Sequence, residues 1–185
     1  MLWDTHMHTH FSGDSNADPA AMARSAIEKN LAGICITDHL DYDYPDEPDL
    51  FTIDFPQYEK GIRQLQADFS DSLNINFGIE LGLQPHLAKK HHEILQEMDF
   101  DFVIGSSHVV HGLDPYYPAY YEGRSEHAAY LEYFESILEN IAAFHEFDVY
   151  GHIDYVVRYG PEKNKNYSYD KYKDVIDEIL RQLIA

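Results

Sequence analysis

Short apolar runs alternate with longer amphipathic segments along the whole chain. Five of these runs have the length and the apolar or β-branched composition of buried strands, and each is followed by a polar loop. They are Leu2–Thr5, Gly33–Thr37, Ile75–Leu81, Phe102–Ser106 and Val149–His152. An alternation of this kind predicts a parallel β-sheet with helices packed outside it.

The segments between and after these runs have the signals of helices. Asp18 followed by Pro19 is typical of a helix N-terminus and predicts a helix over Ala20–Lys29. Apolar residues recur at i, i+3, i+4 and i+7 over 130–145, and a similar pattern runs over 172–183. These two stretches are therefore expected to be amphipathic helices that pack on the core.

The predicted strands and helices together form about five βα units. No repeat, linker or low-complexity stretch divides residues 1–185. We therefore expect one α/β domain. An open sheet and the front part of a longer barrel both fit, since a complete (β/α)₈ barrel takes about 250 residues. The last apolar stripe is still in mid-pattern at Leu183 and Ile184, which favours an incomplete barrel.

Every predicted strand has a histidine or a carboxylate at its carboxyl end, which is the face where ligands bind in α/β folds. In chain order these residues are His6, His8, His39, Glu80, His108 and His152. Imidazoles and carboxylates without thiolates suit zinc, manganese or iron, and so large a set suggests more than one ion. Clustered metal ions promote hydrolysis. The spacing therefore predicts a metal-dependent hydrolase without identifying its substrate.

The composition excludes several classes of protein. The chain has 33 acidic and 13 basic residues and a net charge of −20, which disfavours a nucleic-acid partner. Cys35 is the single cysteine, so no internal disulfide or thiolate zinc site is expected. No apolar run is long enough to cross a membrane and no secretory signal is visible, so we expect a cytoplasmic protein without a membrane partner.

The remaining histidines have weaker patterns. We expect His86, His91 and His92 on the solvated surface of a helix. His111 lies three residues beyond His108, where it is a candidate general acid or substrate contact.

Five ordered motifs carry a resemblance to a known family. They are DTHMHTHFSGDS, ITDH, GIELG, SSHVVHG and GHIDYVVRYG. In these motifs the chain resembles the polymerase-and-histidinol-phosphatase (PHP) family of metal-dependent phosphoesterases, and the last two are most similar to its histidinol-phosphate phosphatases. The resemblance covers essentially the whole chain. It implies a distorted, TIM-like (β/α)₇ barrel that holds up to three divalent ions (zinc, manganese or iron).

The resemblance also implies the ligands of the first two ions. His6 and His8 would bind the first metal, and Glu80 would bridge it to the second. His108 and His152 would complete the protein ligands of the second metal.

Asp14 and His39 would hold the third metal. The family pattern then ends with a further strand and an Asp-x-His pair, which has no equivalent after Tyr169. We therefore expect the domain to be C-terminally truncated. An unclosed barrel of this kind would leave surfaces through which the chain self-associates.

The resemblance further implies a reaction of histidine biosynthesis, the hydrolysis of L-histidinol phosphate to L-histidinol and phosphate. Glu80 would be essential to catalysis through the metals. Arg158, six residues beyond His152, is the candidate phosphate clamp because guanidinium groups bind phosphate bidentately. Carboxylates and aromatic rings of Asp41–Ile53 and Gly112–Arg124 would contact the rest of this small phosphate ester.

Two alternatives remain open. A PHP phosphoesterase could act on nucleotides or oligonucleotides, although such an enzyme would need more basic residues around its site. A non-catalytic metal-binding protein could have lost its last ligands.

Overall fold

A computed structural model describes residues 2–185 as a curled, wholly parallel sheet in which the strands lie side by side in chain order. The strands are β1 (Trp3–Met7), β2 (Gly33–Ile36), β3 (His39–Leu40), β4 (Asn74–Gly82), β5 (Phe102–Ser106) and β6 (Val149–Tyr150). The two-residue β3 also pairs with β4, so the sheet has five strand positions. Sequential order without reversal is the order of a barrel wall, not of a doubly wound sheet.

Within residues 2–185, six α-helices cover the outside and the end of this half-barrel. They are α1 (Pro19–Glu28), α2 (Phe55–Asp68), α3 (Ala88–Glu97), α4 (Glu126–Ala143), α5 (Tyr155–Tyr159) and α6 (Tyr169–Ile184). Helix α1 begins where the sequence predicts it, since the Asp18 carboxylate accepts hydrogen bonds from the backbone N–H groups of Ala20 and Ala21. Ser125 caps α4 in the same way by accepting from the N–H of Ala128.

Two apolar clusters form the core. The first lies between the sheet and the apolar faces of α1, α2 and α3, and it includes the fully buried Ile36, Phe77 and Ile79. The second joins α4, α5 and α6 around Tyr130, Phe134 and other buried residues. The predicted amphipathic helices over 130–145 and 172–183 therefore pack against each other.

The second strand is broken, which the sequence did not indicate. Strand β2 ends at Ile36, and pairing with β4 resumes only at His39, opposite Glu80. The hydroxyl group of the buried Tyr58 lies at this break and donates to the carbonyl oxygens of Gly78 (2.8 Å) and Ile36 (3.2 Å). Tyr58 therefore satisfies backbone groups that a continuous ladder would pair.

The two outer strands expose apolar side chains. Trp3 on β1 and Val149 on β6 are each 42% exposed. Self-association through these edges stays a prediction. No helix within residues 2–185 combines the length and apolar character that crossing a bilayer requires.

His91 corrects one expectation from the sequence. His86 and His92 are exposed, as predicted, but His91 is only 1% exposed. It is buried in α3 together with Ile94, four residues after the buried Leu87 that precedes the helix, and its ring packs edge-on against Phe144. The i, i+4, i+7 spacing of these three residues was the available signal.

Neither ring nitrogen of His91 has a hydrogen-bond partner within residues 2–185. Burial lowers the pKa of His91 to about 4, and the charge of Lys90 acts in the same direction against the opposite effect of Asp41. The folded protein therefore favours the neutral ring, whereas the unfolded chain binds a proton near the ordinary histidine pKa of 6.5.

Stability contributed by a neutral His91 should be complete above about pH 6.5 and should fall as the pH decreases towards about 4. We expect His91→Leu to lose less unfolding free energy than the parent between about pH 7 and pH 4.5, by about 2–3 kcal/mol. Urea unfolding in the presence of a chelator measures this difference. His145→Leu, at an exposed position, is the control. Equal pH dependence in the parent and His91→Leu would show that His91 is not the titrating group.

Candidate metal centre

The carboxyl ends of the strands bring seven predicted ligands to one place. His6 lies in β1, His39 in β3 and Glu80 in β4. His8, Asp14, His108 and His152 lie in the segments that follow β1, β5 and β6. Parallel strands end at the same edge of the sheet, so residues distant in sequence become neighbours. The structure brings all seven residues together, and their role as ligands stays a prediction.

Glu80 lies at the middle of the cluster, and its side chain is wholly buried. Its Oε2 atom is 2.9 Å from Nε2 of His6, 3.4 Å from Nε2 of His8 and 3.4 Å from Nδ1 of His39. Ligand atoms of His6, His8 and Glu80 all lie within 4.8 Å of one another, which is close enough for one metal ion.

The other oxygen of Glu80 faces a second group. Its Oε1 atom is 3.0 Å from Nε2 of His152 and 3.4 Å from Nε2 of His108. Ser106 donates a 2.6 Å hydrogen bond to the same oxygen and thereby fixes the carboxylate. A side chain at Gly151 would lie 2.3 Å from the Ser106 hydroxyl, so this close approach needs glycine. The two oxygens of one carboxylate thus face two potential metal positions.

A third group lies beside the first. The ring of His39 stacks on that of His8 at 4.3 Å, and its Nε2 atom is 3.8 Å from a carboxylate oxygen of Asp14. Asp14 is exposed, whereas His39 is largely covered. His8, Asp14 and His39 have ligand atoms close enough to share one ion.

The environment keeps Glu80 ionised. Burial by itself would raise the pKa of Glu80, but the charge of His39 and hydrogen bonds from His108 and His152 hold it well below its ordinary value. Burial lowers the pKa of His8 to about 4, and repulsion from His39 adds to this effect. His8 therefore has a free imidazole lone pair at neutral pH, as a metal ligand requires.

Unpaired buried polar atoms and the types of the donor atoms both indicate that the site suits divalent ions. Four buried atoms of the site have no hydrogen-bond partner among the residues that the structure describes, namely Nδ1 of His8, His39 and His152 and Oδ2 of Asp41. Leaving a buried polar atom unpaired costs about 1–3 kcal/mol, so such a concentration is unusual in a purely structural core. Imidazoles and carboxylates without a thiolate match zinc and other first-row divalent ions.

A cavity of about 640 Å³ opens over this cluster. Its wall has four carboxylates, those of Asp14, Asp41, Glu80 and Asp114. Among the described residues that line it, Arg158 is the one with a permanent positive charge. Without cations the cavity would repel an anionic ligand.

Asp41 is a further residue of the site, although the sequence places it only in a loop expected to contact the substrate. It is 2% exposed, and its Oδ1 atom is 2.6 Å from Nδ1 of His108. Burial by itself would lower the pKa of His108, but the charge and hydrogen bond of Asp41 hold it well above the ordinary value. No local pattern indicates this contact, because the two residues are 67 positions apart.

The structure does not bring His111 to the cavity. Its backbone has a φ of 50°, and its ring points to helix α4, where it lies 3.0 Å from Glu132 and 3.2 Å from Glu139. It lines a separate surface depression with Glu139. The expectation of a general acid or substrate contact at His111 therefore lacks geometric support, because acidic side chains of α4 hold the ring elsewhere.

Polar residues next to the candidate ligands in sequence have contacts of their own. Asp38 accepts hydrogen bonds from the backbone N–H and the hydroxyl of Thr9, which fixes the loop after β1. Asp4 is exposed and accepts from the backbone N–H of His6. Ser107 contacts Tyr150 and Asn140 behind the site. Among Asp4, Asp38, Ser106 and Ser107, Ser106 is the one whose side chain contacts a candidate ligand side chain.

Comparison with known proteins places the chain in a family. Residues 4–185 match the PHP domain. The chain belongs to the PHP family. The sequence resemblance is therefore confirmed over nearly the whole chain.

Proteins named histidinol-phosphatase are similar to this PHP chain. A histidinol-phosphatase from Lactococcus lactis subsp. lactis is 33% identical over 183 residues, which are 98% of this chain and 67% of the relative. A Clostridium acetobutylicum protein named "Probable histidinol-phosphatase" is 31% identical over 184 residues, which are 100% of this chain and 69% of that protein. The chain thus spans about two thirds of the length of these relatives.

A solved structure supports the same relationship. The crystal structure of histidinol phosphate phosphatase from Lactococcus lactis, complexed with Zn, L-histidinol and phosphate, matches this PHP chain with a TM-score of 0.93 at 34% identity. The match covers 98% of this chain and 68% of that one. It confirms the α/β fold of TIM-like type, present here as a parallel half-barrel of five strand positions.

The central position of Glu80 generates a prediction for metal binding. Glu80→Gln keeps the shape of the side chain but removes the charge shared by two ligand groups. We expect zinc affinity to fall at least about tenfold and the bound zinc per chain to decrease, with an unchanged circular dichroism spectrum. Dialysis followed by elemental analysis measures the zinc.

Glu93→Gln is the matched control because this glutamate is exposed on α3. It should bind as much zinc as the parent. Full zinc occupancy in Glu80→Gln would contradict the central role of this carboxylate.

Proposed function

We propose that this chain is a metal-dependent phosphomonoesterase that hydrolyses L-histidinol phosphate to L-histidinol and phosphate, a reaction of histidine biosynthesis. The observation that carries the proposal is the buried carboxylate of Glu80, whose two oxygens face two separate groups of histidines. The named relatives support the choice of substrate. They give no support to nucleotides as substrates or to a non-catalytic metal-binding protein.

The proposed ligands follow the three groups. His6 and His8 bind one divalent ion, His108 and His152 bind another, and Glu80 contacts both. Asp14 and His39 bind a third ion. Residues 1–185 act as one domain in this proposal, because both apolar clusters and all these ligands belong to one continuous half-barrel.

Divalent ions in this position supply activation of water and neutralisation of negative charge on the phosphate. The protein supplies the geometry and one permanent positive charge. Arg158 lies on the cavity wall beyond His152, where its guanidinium group binds phosphate oxygens. The ions also overcome the repulsion that the carboxylates of the wall exert on a phosphate dianion.

Asp114 is the proposed contact for the amino group or the imidazolium of the substrate. It is 4% exposed and lies on the cavity wall. Its two oxygens accept hydrogen bonds from the hydroxyls of Tyr44 (2.6 Å) and Tyr155 (3.1 Å). The contact from Tyr44 joins the two loops that are expected to contact the substrate, 41–53 and 112–124, and the contact from Tyr155 connects Asp114 to α5.

Aromatic rings complete the proposed subsite. Tyr116 and Tyr117 are 55% and 42% exposed at the cavity, and Tyr159 packs edge-on against Tyr116. Flat rings around a buried carboxylate suit a cationic heterocycle. A small phosphate ester with a positively charged tail therefore matches both ends of the cavity.

Phosphate release by this chain from L-histidinol phosphate tests the proposal. We expect turnover that a chelator abolishes and zinc or another divalent ion restores. Asp114→Asn should raise KM for histidinol phosphate about tenfold or more, since it removes a charge-assisted hydrogen bond. It should leave the hydrolysis of glycerol phosphate, which has no amino group or imidazole, nearly unchanged.

Arg158→Met should weaken turnover of both esters, whereas Arg24→Met, on the exposed surface of α1, should affect neither. Preference for a nucleoside monophosphate would contradict the substrate assignment. Absence of chelator-sensitive turnover on any of these esters would contradict the proposed enzyme activity of this chain.

A further inference from the structure

Asp41 contacts candidate ligands of two different metal positions. Its Oδ1 atom is 2.6 Å from Nδ1 of His108, and its Oδ2 atom is 3.3 Å from Nδ1 of His39. Asp41 and His108 are both buried, and His39 is largely covered. One carboxylate thus lies between two imidazole rings, and Nδ1 of His39 is also 3.4 Å from Oε2 of Glu80.

The hydrogen bond from Nδ1 of His108 to Asp41 selects one nitrogen of that ring, whereas Oδ2 of Asp41 lies close to Nδ1 of His39 without hydrogen-bond geometry. When Nδ1 of a histidine donates its proton to a carboxylate, Nε2 carries the lone pair that a metal needs. Nε2 of His108 faces Glu80 and His152, at 3.4 Å from each residue. Nε2 of His39 faces Asp14 at 3.8 Å. The Nε2 atoms of the two rings therefore point to different groups of ligands.

The strand beside Asp41 has a residue that makes this position possible. Gly82 ends β4, and a Cβ atom there would lie 1.9 Å from Oδ1 and 2.4 Å from Cγ of Asp41. Contacts this short require the carboxylate to move. Because Gly82, the second glycine of the GIELG motif, has no side chain, it leaves the space that the Asp41 carboxylate occupies.

We propose that Asp41 is a positioning residue that orients His39 and His108 together, and that Gly82 is required because it makes room for this shared carboxylate. The inference rests on the metal centre proposed above. It predicts that one substitution outside the seven ligands weakens two metal positions at once. It also predicts that adding a single methyl group at Gly82 has the same effect without altering any polar atom.

Zinc binding to the full chain tests the inference independently of any phosphatase assay. The measurements are zinc per chain and zinc affinity by competition with a coloured chelator. We expect Asp41→Asn to weaken zinc binding by about 10–100-fold, the usual effect of removing a carboxylate behind a histidine ligand. Asp41→Ala should weaken zinc binding at least as much, and Gly82→Ala should also weaken it.

Two control variants separate positioning from general damage. Asp43→Asn removes the same charge two residues away, at an exposed aspartate paired with His86. Gly33→Ala adds the same methyl group to a glycine at the opposite end of the sheet, where it would contact the half-exposed Trp3 ring. Both controls should bind zinc as the parent does. Urea unfolding with a chelator present identifies any variant that has lost its fold.

Cobalt(II) provides a readout that a change in stability alone would not alter. The visible spectrum of bound cobalt depends on the nitrogen and oxygen donors around the ion. Asp41→Asn and Gly82→Ala should change the spectrum at saturating cobalt, whereas Asp43→Asn and Gly33→Ala should reproduce the parent spectrum.

The outcomes distinguish this inference from the proposed function. Parental zinc affinity in folded Asp41→Asn would overturn the inference and leave the metal centre intact, as would equal losses in Asp41→Asn and Asp43→Asn. Parental affinity in folded Gly82→Ala would overturn the role of the glycine. A parent chain that binds no zinc would overturn the metal centre together with the inference.

Discussion

The site depends on one buried carboxylate in contact with five imidazoles. Burying an isolated charge is strongly unfavourable, and a buried ion is stable only when neighbouring charges and hydrogen bonds compensate it. Glu80 receives this compensation from histidines on both of its oxygens and from the hydroxyl of Ser106. These partners come from different strands, so the charge can be compensated only when the half-barrel has formed.

The parallel sheet provides the necessary geometry. Register places His39 directly opposite Glu80, and the break before His39, held by Tyr58, sets the point where pairing resumes. The apolar clusters lie outside the sheet and between the helices, so they leave the carboxyl ends free for polar residues. The residues that stabilise the fold and the candidate ligands thus lie in different parts of the same strands, which is the usual division in barrel-type α/β proteins.

Much of the architecture could be predicted because strand-end histidines and helical periodicity are local signals. Other features depend on tertiary contacts between distant segments. Asp41 became a site residue only because β3 and β5 bring it to His108, and no spacing in the sequence encodes that contact. His111 has the local pattern of a site residue, but acidic residues of α4 hold it away. His91 was predicted incorrectly although its spacing from apolar neighbours indicated burial.

The position of bound metal ions relative to Glu80 tests the central claim most directly. Anomalous diffraction at the zinc absorption edge, from crystals of the zinc-loaded chain, locates those ions. We expect peaks at about 2.0–2.2 Å from each oxygen of Glu80, the ordinary zinc–carboxylate distance. One peak should lie beside His6 and His8, and the other beside His108 and His152. Zinc bound elsewhere, with neither oxygen of Glu80 in contact, would contradict the account.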